Sequence, residues 1–396
     1  MKINNISIKD VSCIRNISIP FNDHINFICG SNGIGKSSVL EAIAGFFNGP
    51  YSNSKLKKRF SVEHGECTAS FSYNNMKREF SYVVKSFLPG EQYSPNLGEL
   101  HNFVGEVIYI RTARELEYKS LSSISLQNQV TGYNIQNDLI NGLSGDNIKN
   151  WFIHRELFSK QDKALSSAQL SNLRLAKDIF SIIDDKFIYS HLDANTHDII
   201  IKTPSGEICF EYLSSGFKSC LYLLLGLIKE IEYRFPSENI KAIDFGGMIL
   251  IDEPEIHLHP AWQTKISKIL TASFPCAQFI CATHSPHIIQ DSNKDEIITL
   301  EYDVDGENIK LKNLLSVDSG FQGWTIEEIL SDVMGMNDVR GEHYNNLKNG
   351  FYKAIDNDDV VSAKKYYNLL NKILHPNNIE RRVIKMDMAC LSGGDK

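Results

Sequence analysis

Residues 30–37 read Gly30-Ser31-Asn32-Gly33-Ile34-Gly35-Lys36-Ser37, a full match to the pattern G-x-x-x-x-G-K-[ST]. An apolar stretch, Ile25 to Cys29, runs into it, and a helical pattern, Ser38 to Phe47, runs out of it. Strand, glycine-rich loop and helix in that order turn a pattern match into a phosphate-binding device. The glycines let backbone N–H groups curl around phosphate oxygens without side-chain clashes. The helix then offers its N-terminus, with free N–H groups and the positive end of its dipole, to the same anion. Lys36 is placed to reach the β- and γ-phosphates of a nucleotide, and the Ser37 hydroxyl to ligate Mg²⁺. Gly30, Ser31, Asn32, Gly33, Ile34, Gly35 and Ser38 complete the candidate nucleotide contacts. The alternative, a glycine-rich turn matching by chance, is disfavoured by these flanks.

Two later strands fit the same site. Met248 to Ile251 is continuously apolar and ends in Asp252-Glu253-Pro254. A fully apolar strand suits a parallel sheet covered on both faces, and ligands bind at the C-terminal ends of such strands. Asp252 is the candidate metal ligand, directly or through water, and Glu253 the candidate base that polarises the attacking water. Gln278 to Ala282 is a second short strand, ending in Thr283-His284-Ser285. His284 is the candidate contact to the γ-phosphate and the water; a satisfied polar residue at a strand end is the plainer reading.

Between them lies Leu213-Ser214-Ser215-Gly216-Phe217-Lys218, followed by an apolar run from Cys220 to Ile228. On its own it reads as an ordinary serine N-cap before a buried helix. In this company it resembles the signature motif of the ATP-binding-cassette (ABC) class of ATPases, whose motif order is Walker A, signature, Walker B, histidine switch. The resemblance implies that Ser214 and Gly216 grip the γ-phosphate of ATP bound by a second copy, so that two ATPs are sandwiched in a head-to-tail homodimer. Ser215 replaces a glycine of the commoner form, and Phe217 stands where a Glu or Gln is usual; both departures bear on turnover. The Mg²⁺ sensor that usually follows the β-subdomain is not placed by the sequence. Arg111 and Arg114 occupy its neighbourhood, either to contact phosphate or a partner, or to pair with Glu115 and Glu117.

The chain has 396 residues, 42% hydrophobic and 22% charged, as expected of a globular protein with two or three subdomains. No apolar run reaches bilayer length, and nothing at the N-terminus reads as a secretory signal. The eight cysteines are scattered without a C-x-x-C pair, several within apolar strands, which points to the reducing cytosol. A net charge of −7 argues against a nucleic-acid binder that uses its whole surface. A local patch remains open to it: the basic run Lys55, Lys57, Lys58, Arg59 is one candidate, with a solvated loop the plainer reading.

Strands are expected at Ile3–Ile8, Ile17–Phe21, two within Gly65–Phe87 around a Tyr73-Asn74-Asn75 turn, and at Val104–Ile110. A Pro/Gly-rich loop covers residues 89–98. Residues 136–185 read as helical, and strands return at Phe187–His191, His197–Thr203 and Glu207–Tyr212. Asp303-Val304-Asp305-Gly306 reads as a hairpin turn rather than a metal site. Thr325 with Glu328 forms a capping box, and helices are expected near Val339–Ile355, Asp358–Leu374 and Pro376–Leu391. The expected fold is therefore α/β: a P-loop NTPase of the ABC-ATPase class with an antiparallel β-subdomain, an inserted helical lobe and a C-terminal helical bundle. Its divisions are residues 1–135, 136–185, 186–312 and 313–396.

Walker B continues as Glu255-Ile256-His257-Leu258-His259-Pro260, unlike membrane-transporter cassettes and similar to the RecF, SMC and OLD branch. A metal site at His257 and His259 lacks further ligands at suitable spacing. No long heptad arm of the SMC kind is expected between Walker A and the signature, and the residues after the core read as helices, so a nuclease domain of the OLD kind is not expected in them. The C-terminal run Glu-Ile-Leu, Met-Gly-Met, Arg and then His375-Pro376-Asn377-Asn378 resembles the ATPase subunit of Septu-type antiphage defence systems; related ATPases accompany some retrons. That resemblance implies an ATP- and Mg²⁺-dependent regulatory ATPase, dimeric or of higher order, paired with a separate HNH-type nuclease. In the retron case it adds a reverse transcriptase and its DNA–RNA product, with nucleic acid reached through the complex and no membrane. A RecF-like, ATP-gated DNA clamp and an ATP-stapled scaffold with negligible turnover are the competing readings.

Overall fold

The computed structural model describes residues 1–48, 55–74, 76–91, 98–114, 131–143, 145, 147–236, 239–314, 320–336 and 340–392. Asn75, Glu115, Glu117, Val339 and most of the loop expected at 89–98 lie outside them. The chain divides into two units, Met1–Gly335 and Met336–Lys396. In chain order the strands are β1 (Lys2–Val11), β2 (Ile14–Pro20), β3 (Ile25–Gly30), β4 (Gly65–Tyr73), β5 (Met76–Val84), β6 (Val107–Ile110), β7 (Ile188–Leu192), β8 (Ile199–Thr203), β9 (Gly206–Cys209), β10 (Met248–Asp252), β11 (Gln278–Ala282), β12 (Ile297–Tyr302) and β13 (Ile309–Leu311). The helices of the first unit are α1 (Lys36–Gly45), α2 (Gly132–Asn141), α3 (Ile148–Phe158), α4 (Ser167–Ile183), α5 (Ser215–Arg234), α6 (Pro260–Gln263), α7 (Ile266–Ser273), α8 (Pro286–Gln290) and α9 (Ile326–Glu328). The second unit holds α10 (Glu342–Asp356), α11 (Val360–Ile373) and α12 (Glu380–Ser392).

The central sheet runs β13-β12-β3-β11-β10-β6. All neighbours are parallel except the β12–β13 hairpin at one edge. Its strands show no hydrophobic alternation because both faces are covered, and the period of two instead sorts residues between two cores. Ile25, Phe27 and Cys29 of β3, Ile249 and Ile251 of β10, and Phe279 and Cys281 of β11 pack with α3, α4 and α5. Ile28, Met248, Leu250, Ile280 and Ala282 pack on the other side, with α1 and the antiparallel sheet β2-β1-β4-β5. Helix α1 is wedged between the sheets and buries Val39, Leu40, Ala42 and Ile43. Cys29, Cys67, Cys220 and Cys281 are buried free thiols that serve as small apolar side chains.

The helical lobe joins α5 through charges as well as apolar packing. Glu232 of α5 accepts from Arg155 Nε at 2.6 Å, Trp151 Nε1 at 3.0 Å and Asn172 Nδ2 at 3.1 Å. Lys149 bridges Asp198 and Glu211, each at 2.6 Å. Buried charges of this kind are tolerated only when paired on most sides.

Two expected strands are shorter than the sequence suggests. Residues Gly98–Glu106 form a 3₁₀ segment, so β6 starts at Val107 and not Val104. Phe210–Tyr212 likewise turn out of β9. In both places apolar residues pack from a turn, which periodicity cannot distinguish from a strand. The Thr325–Glu328 capping box forms as expected, and the next turn widens into a π-turn at Ile329–Val333. In the second unit Leu347, Phe351, Ala363, Leu370 and Ile384 form a small core, and Arg340 and Lys348 both pair with Glu380. Among the described residues no helix is long and apolar enough to cross a membrane.

Candidate nucleotide site

The glycine-rich loop leaves β3 at its C-terminal end, beside the ends of β11 and β10. Gly30, Gly33 and Gly35 all have positive φ, at 139°, 76° and 96°. At Gly30 a Cβ would lie 2.4 Å from the Leu300 carbonyl oxygen, so both the turn and the close approach require glycine there. Helix α1 begins at Lys36 with Gly35 as its N-cap and no side-chain cap. Its first-turn N–H groups are therefore left to an external acceptor. Lys36 is buried, and its Nζ donates to the carbonyls of Gly30 and Ser31, both at 2.9 Å. Burial pulls its pKa down, against the attraction of Cys29, Glu253, Glu255 and Asp252. Lys36 thus lies within the field of the acidic groups that follow β10.

Ser37 Oγ donates to Asp252 Oδ1 at 3.0 Å. Burial raises the Asp252 carboxyl, and the bond from Ser37 opposes that rise. A hydroxyl and a carboxylate together are the hard oxygen donors that Mg²⁺ prefers, so the pair fits this metal. At Glu253 the chain leaves β10 in a left-handed conformation, φ 51°, while its N–H still donates to the Ala282 carbonyl at 2.8 Å. A non-glycine residue held so costs of order 1–3 kcal/mol, and such residues cluster at functional sites. His284 follows β11, and its pKa is lowered by burial first and by Lys36 next, with Asp252 opposing, which favours the neutral ring. The loop, the acidic strand end and the histidine therefore converge. Gly30 to Ser38 run without a break from the end of β3 through the loop into the first turn of α1, and the charges of Lys36 and Asp252 both act on His284.

Ser214 and Gly216 lie at the start of α5. Ser214 is exposed and caps the helix, accepting from the Phe217 N–H at 3.3 Å. At Gly216 a Cβ would come within 2.6 Å of the His257 carbonyl oxygen, so the helix start is pressed onto the chain beyond β10. Ser219 Oγ adds a bond to the Ile256 carbonyl at 3.0 Å. Phe217 packs tilted against Phe187 and edge-to-face with Trp262, with ring centroids 4.7 and 5.5 Å away. The unusual phenylalanine is thus a core residue that locks the signature helix to this segment.

Among the described residues Arg111 finds its partners inside the chain. It pairs with Glu41 of α1, with Nη2 to Oε2 at 3.1 Å, and lies over Tyr109 at 4.3 Å. Arg114 is buried and donates to the carbonyls of Arg111 and Asp252. Both arginines serve the protein interior, and Glu115 and Glu117 lie outside the described residues. His257 and His259 are exposed; His259 caps α6, accepting from the Ala261 N–H at 3.3 Å. Among the described residues no group of three metal-ligating side chains occurs. The hairpin reading of Asp303 holds, for its carboxylate accepts from the N–H groups of Glu307 and Asn308. Lys57 and Lys58 are tied to the carbonyls of Glu91 and Val62.

Sequence reasoning missed Glu255. Thr283 Oγ1 donates to its Oε2 at 2.9 Å, and the His284 N–H donates to its Oε1 at 2.5 Å. It also missed Gln263, whose Oε1 accepts from Ser285 Oγ at 2.6 Å. The only local signal was a second glutamate two residues after Glu253.

A parallel sheet bearing this loop, with signature, acidic strand end and histidine in that order, defines a P-loop ATPase of the ABC class. Residues 1–80 match the family model "AAA ATPase domain", and residues 141–290 match "AAA domain, putative AbiEii toxin, Type IV TA system". The Septu protein PtuA of Bacillus thuringiensis is 39% identical over 389 residues, covering 98% of this chain and 98% of that protein. The Septu protein PtuA of Bacillus mycoides (strain KBAB4) is 25% identical over 92% of this chain and 49% of its own length. The "Retron Ec83 probable ATPase" of Escherichia coli is 29% identical over 33% of this chain and 23% of its own length. The chain belongs to the Septu protein PtuA family.

Proposed function

We propose that this ATPase is the regulatory subunit of an antiphage defence complex, and that ATP-dependent dimerisation controls a partner nuclease of the HNH type. The observation that carries the reading is the division of the candidate residues between one phosphate loop and a separate helix start. Lys36, Ser37, Asp252, Glu253 and His284 gather around one loop, whereas Ser214 caps α5 at an exposed helix start. Such a helix start suits the γ-phosphate held by another copy. Bound Mg²⁺, held by Ser37 and Asp252, would spread the charge that develops on the phosphates. Lys36 and the loop amides cradle the β- and γ-phosphates, Glu253 accepts a proton from the attacking water, and His284 orients the water. ATP that touches two copies favours the closed dimer by its greater affinity for that state, and hydrolysis reverses the preference. Partnership with a retron reverse transcriptase and its DNA–RNA product is the variant that the retron relatives suggest. The DNA-clamp reading gains little, since Lys57 and Lys58 are committed to carbonyls of their own chain.

Nucleotide titration, ATP turnover and light scattering on the purified chain test this together. Lys36→Ala should abolish nucleotide binding. Glu253→Gln should bind ATP, lose about 100-fold or more in turnover, and accumulate as a dimer. Turnover by Glu253→Gln at the parental rate would remove the glutamate from the chemistry. Failure of an HNH nuclease encoded alongside to co-purify with the chain in any nucleotide state would remove the partner.

A further inference from the structure

Glu255 has no part in the chemistry just described, yet this half-buried carboxylate is engaged through both oxygens by its own chain. A carboxylate taken out of water is costly unless its oxygens are satisfied. Both oxygens of Glu255 are satisfied by the histidine-bearing loop, through the Thr283 hydroxyl at 2.9 Å and the His284 N–H at 2.5 Å. Thr283 Oγ1 in turn accepts from the Ser285 N–H at 3.0 Å, so the loop from 283 to 285 closes around this one acceptor. On the other side is Arg114. Its Nε holds the Arg111 carbonyl at 2.9 Å and its Nη2 holds the Asp252 carbonyl, while Nη1 has no hydrogen-bond partner among the described residues. Glu255 is the strongest of the charges that attract this arginine. Arg114 thus ties the residues at the end of β6 to the end of β10, and Glu255 ties the chain after β10 to the turn after β11.

We propose that Glu255 is a positioning residue for ATP hydrolysis: it grips the backbone and hydroxyl of the 283–284 turn and so sets where the His284 ring meets the γ-phosphate, with Arg114 holding the Asp252 carbonyl from below. The inference rests on the assignment of His284 to the γ-phosphate. Glu255 touches neither nucleotide nor water and acts only through His284. Its removal therefore lowers kcat more than it weakens ATP binding, because among the described residues Lys36, whose Nζ holds the Gly30 and Ser31 carbonyls, shares no hydrogen bond with it and feels only its charge.

The test uses steady-state hydrolysis and nucleotide titration of the full chain. Thr283→Val removes one donor at nearly constant volume, and Glu255→Gln keeps the shape while discharging the group that faces Arg114. Each is expected to lower kcat about 10-fold with KM for ATP within about twofold, and Thr283→Ser, which keeps the hydroxyl, to recover most of the loss relative to Thr283→Val. The double variant Glu255→Gln/His284→Ala is expected to be no slower than His284→Ala alone, because two residues on one path do not add. Losses that multiply in the double variant would overturn the proposal. So would a lowered unfolding midpoint with kcat intact in both Thr283→Val and Glu255→Gln, since that is a structural role only. A slow His284→Ala beside a parental-rate Glu255→Gln would sink this inference alone, whereas a parental-rate His284→Ala would sink it together with the γ-phosphate assignment.

Discussion

At the scale of single residues, the position of a side chain in the chain says less than what it is buried against. Asp138, on α2, has its carboxyl pushed up to about 6, chiefly by burial, with repulsion from Glu230 adding and Arg234 opposing. A free aspartate titrates near 3.8. Between those values the folded chain holds more protons than the unfolded one, so this group makes stability fall as pH rises through the window. Asp138→Asn removes the penalty. At about pH 7.5 the variant should gain about 1 kcal/mol, allowing for solvent screening at a partly exposed site, and the gain should vanish near pH 4. Urea unfolding at the two pH values measures this, and an equal gain at both would exclude charge as the cause. The same contrast explains which residues were legible. Gly30 to Ser37 were readable because a phosphate loop is a local backbone constraint and its residues are neighbours in sequence. The bond between Arg114 and the Asp252 carbonyl spans 138 positions, and no pattern in either segment announces it. Glu255 was hidden for the same reason, its donors lying at 283 and 284.

At the scale of elements, α5 was legible as a helix and its face was not. Cys220 to Ile228 is apolar without a clear stripe, because the helix is buried nearly all round, with Glu232 bonded to α3 and α4 and Glu230 paired with Lys229 and Arg234 of the same helix. Phe217 follows from that burial. Where a Glu or Gln is usual, this chain has a ring filling the space between Phe187 and Trp262. Phe217→Ala should cost about 3 kcal/mol by leaving a cavity, and Phe217→Leu under about 1.5 kcal/mol. Phe217→Glu should cost more than either, since the carboxylate would be buried between two aromatic rings. Tryptophan emission during denaturation reports on the site, Trp262 being one wall of it. A stable Phe217→Glu chain would mean that the start of α5 can move off the 256–262 segment. Strands β3, β10 and β11 were read to within a residue, because short apolar runs between turn signals have few other solutions in a covered sheet. The start of β6 was misread because Val104 is buried from a 3₁₀ segment, and a buried valine just before an apolar run reads as part of the strand.

At the scale of the whole molecule, the decisive question is whether one polypeptide completes an ATP site. Lys36 and the acidic groups that follow β10 are brought together within the chain, while Ser214 stands exposed at the start of α5. In a head-to-tail dimer each site takes its glycine loop from one copy and its serine-led helix from the other. That arrangement makes a prediction no single-chain site can share. Lys36→Ala disables the loop of its own chain, and Ser214→Arg disables the helix its chain lends to a neighbour, so each variant alone should be inactive. In a mixed dimer both defects fall in one site, and the other site receives an intact loop and an intact helix. Equal amounts of the two variants, mixed and allowed to exchange, place half the chains in mixed dimers with one good site of two. Turnover should return to about a quarter of the parental rate per chain if the sites act independently. Measured as phosphate release against mixing ratio, recovery should peak at equal amounts. A mixture as inactive as its parts, at concentrations where sedimentation detects mixed dimers, would place the serine outside the ATP site and leave the dimer without a role in hydrolysis.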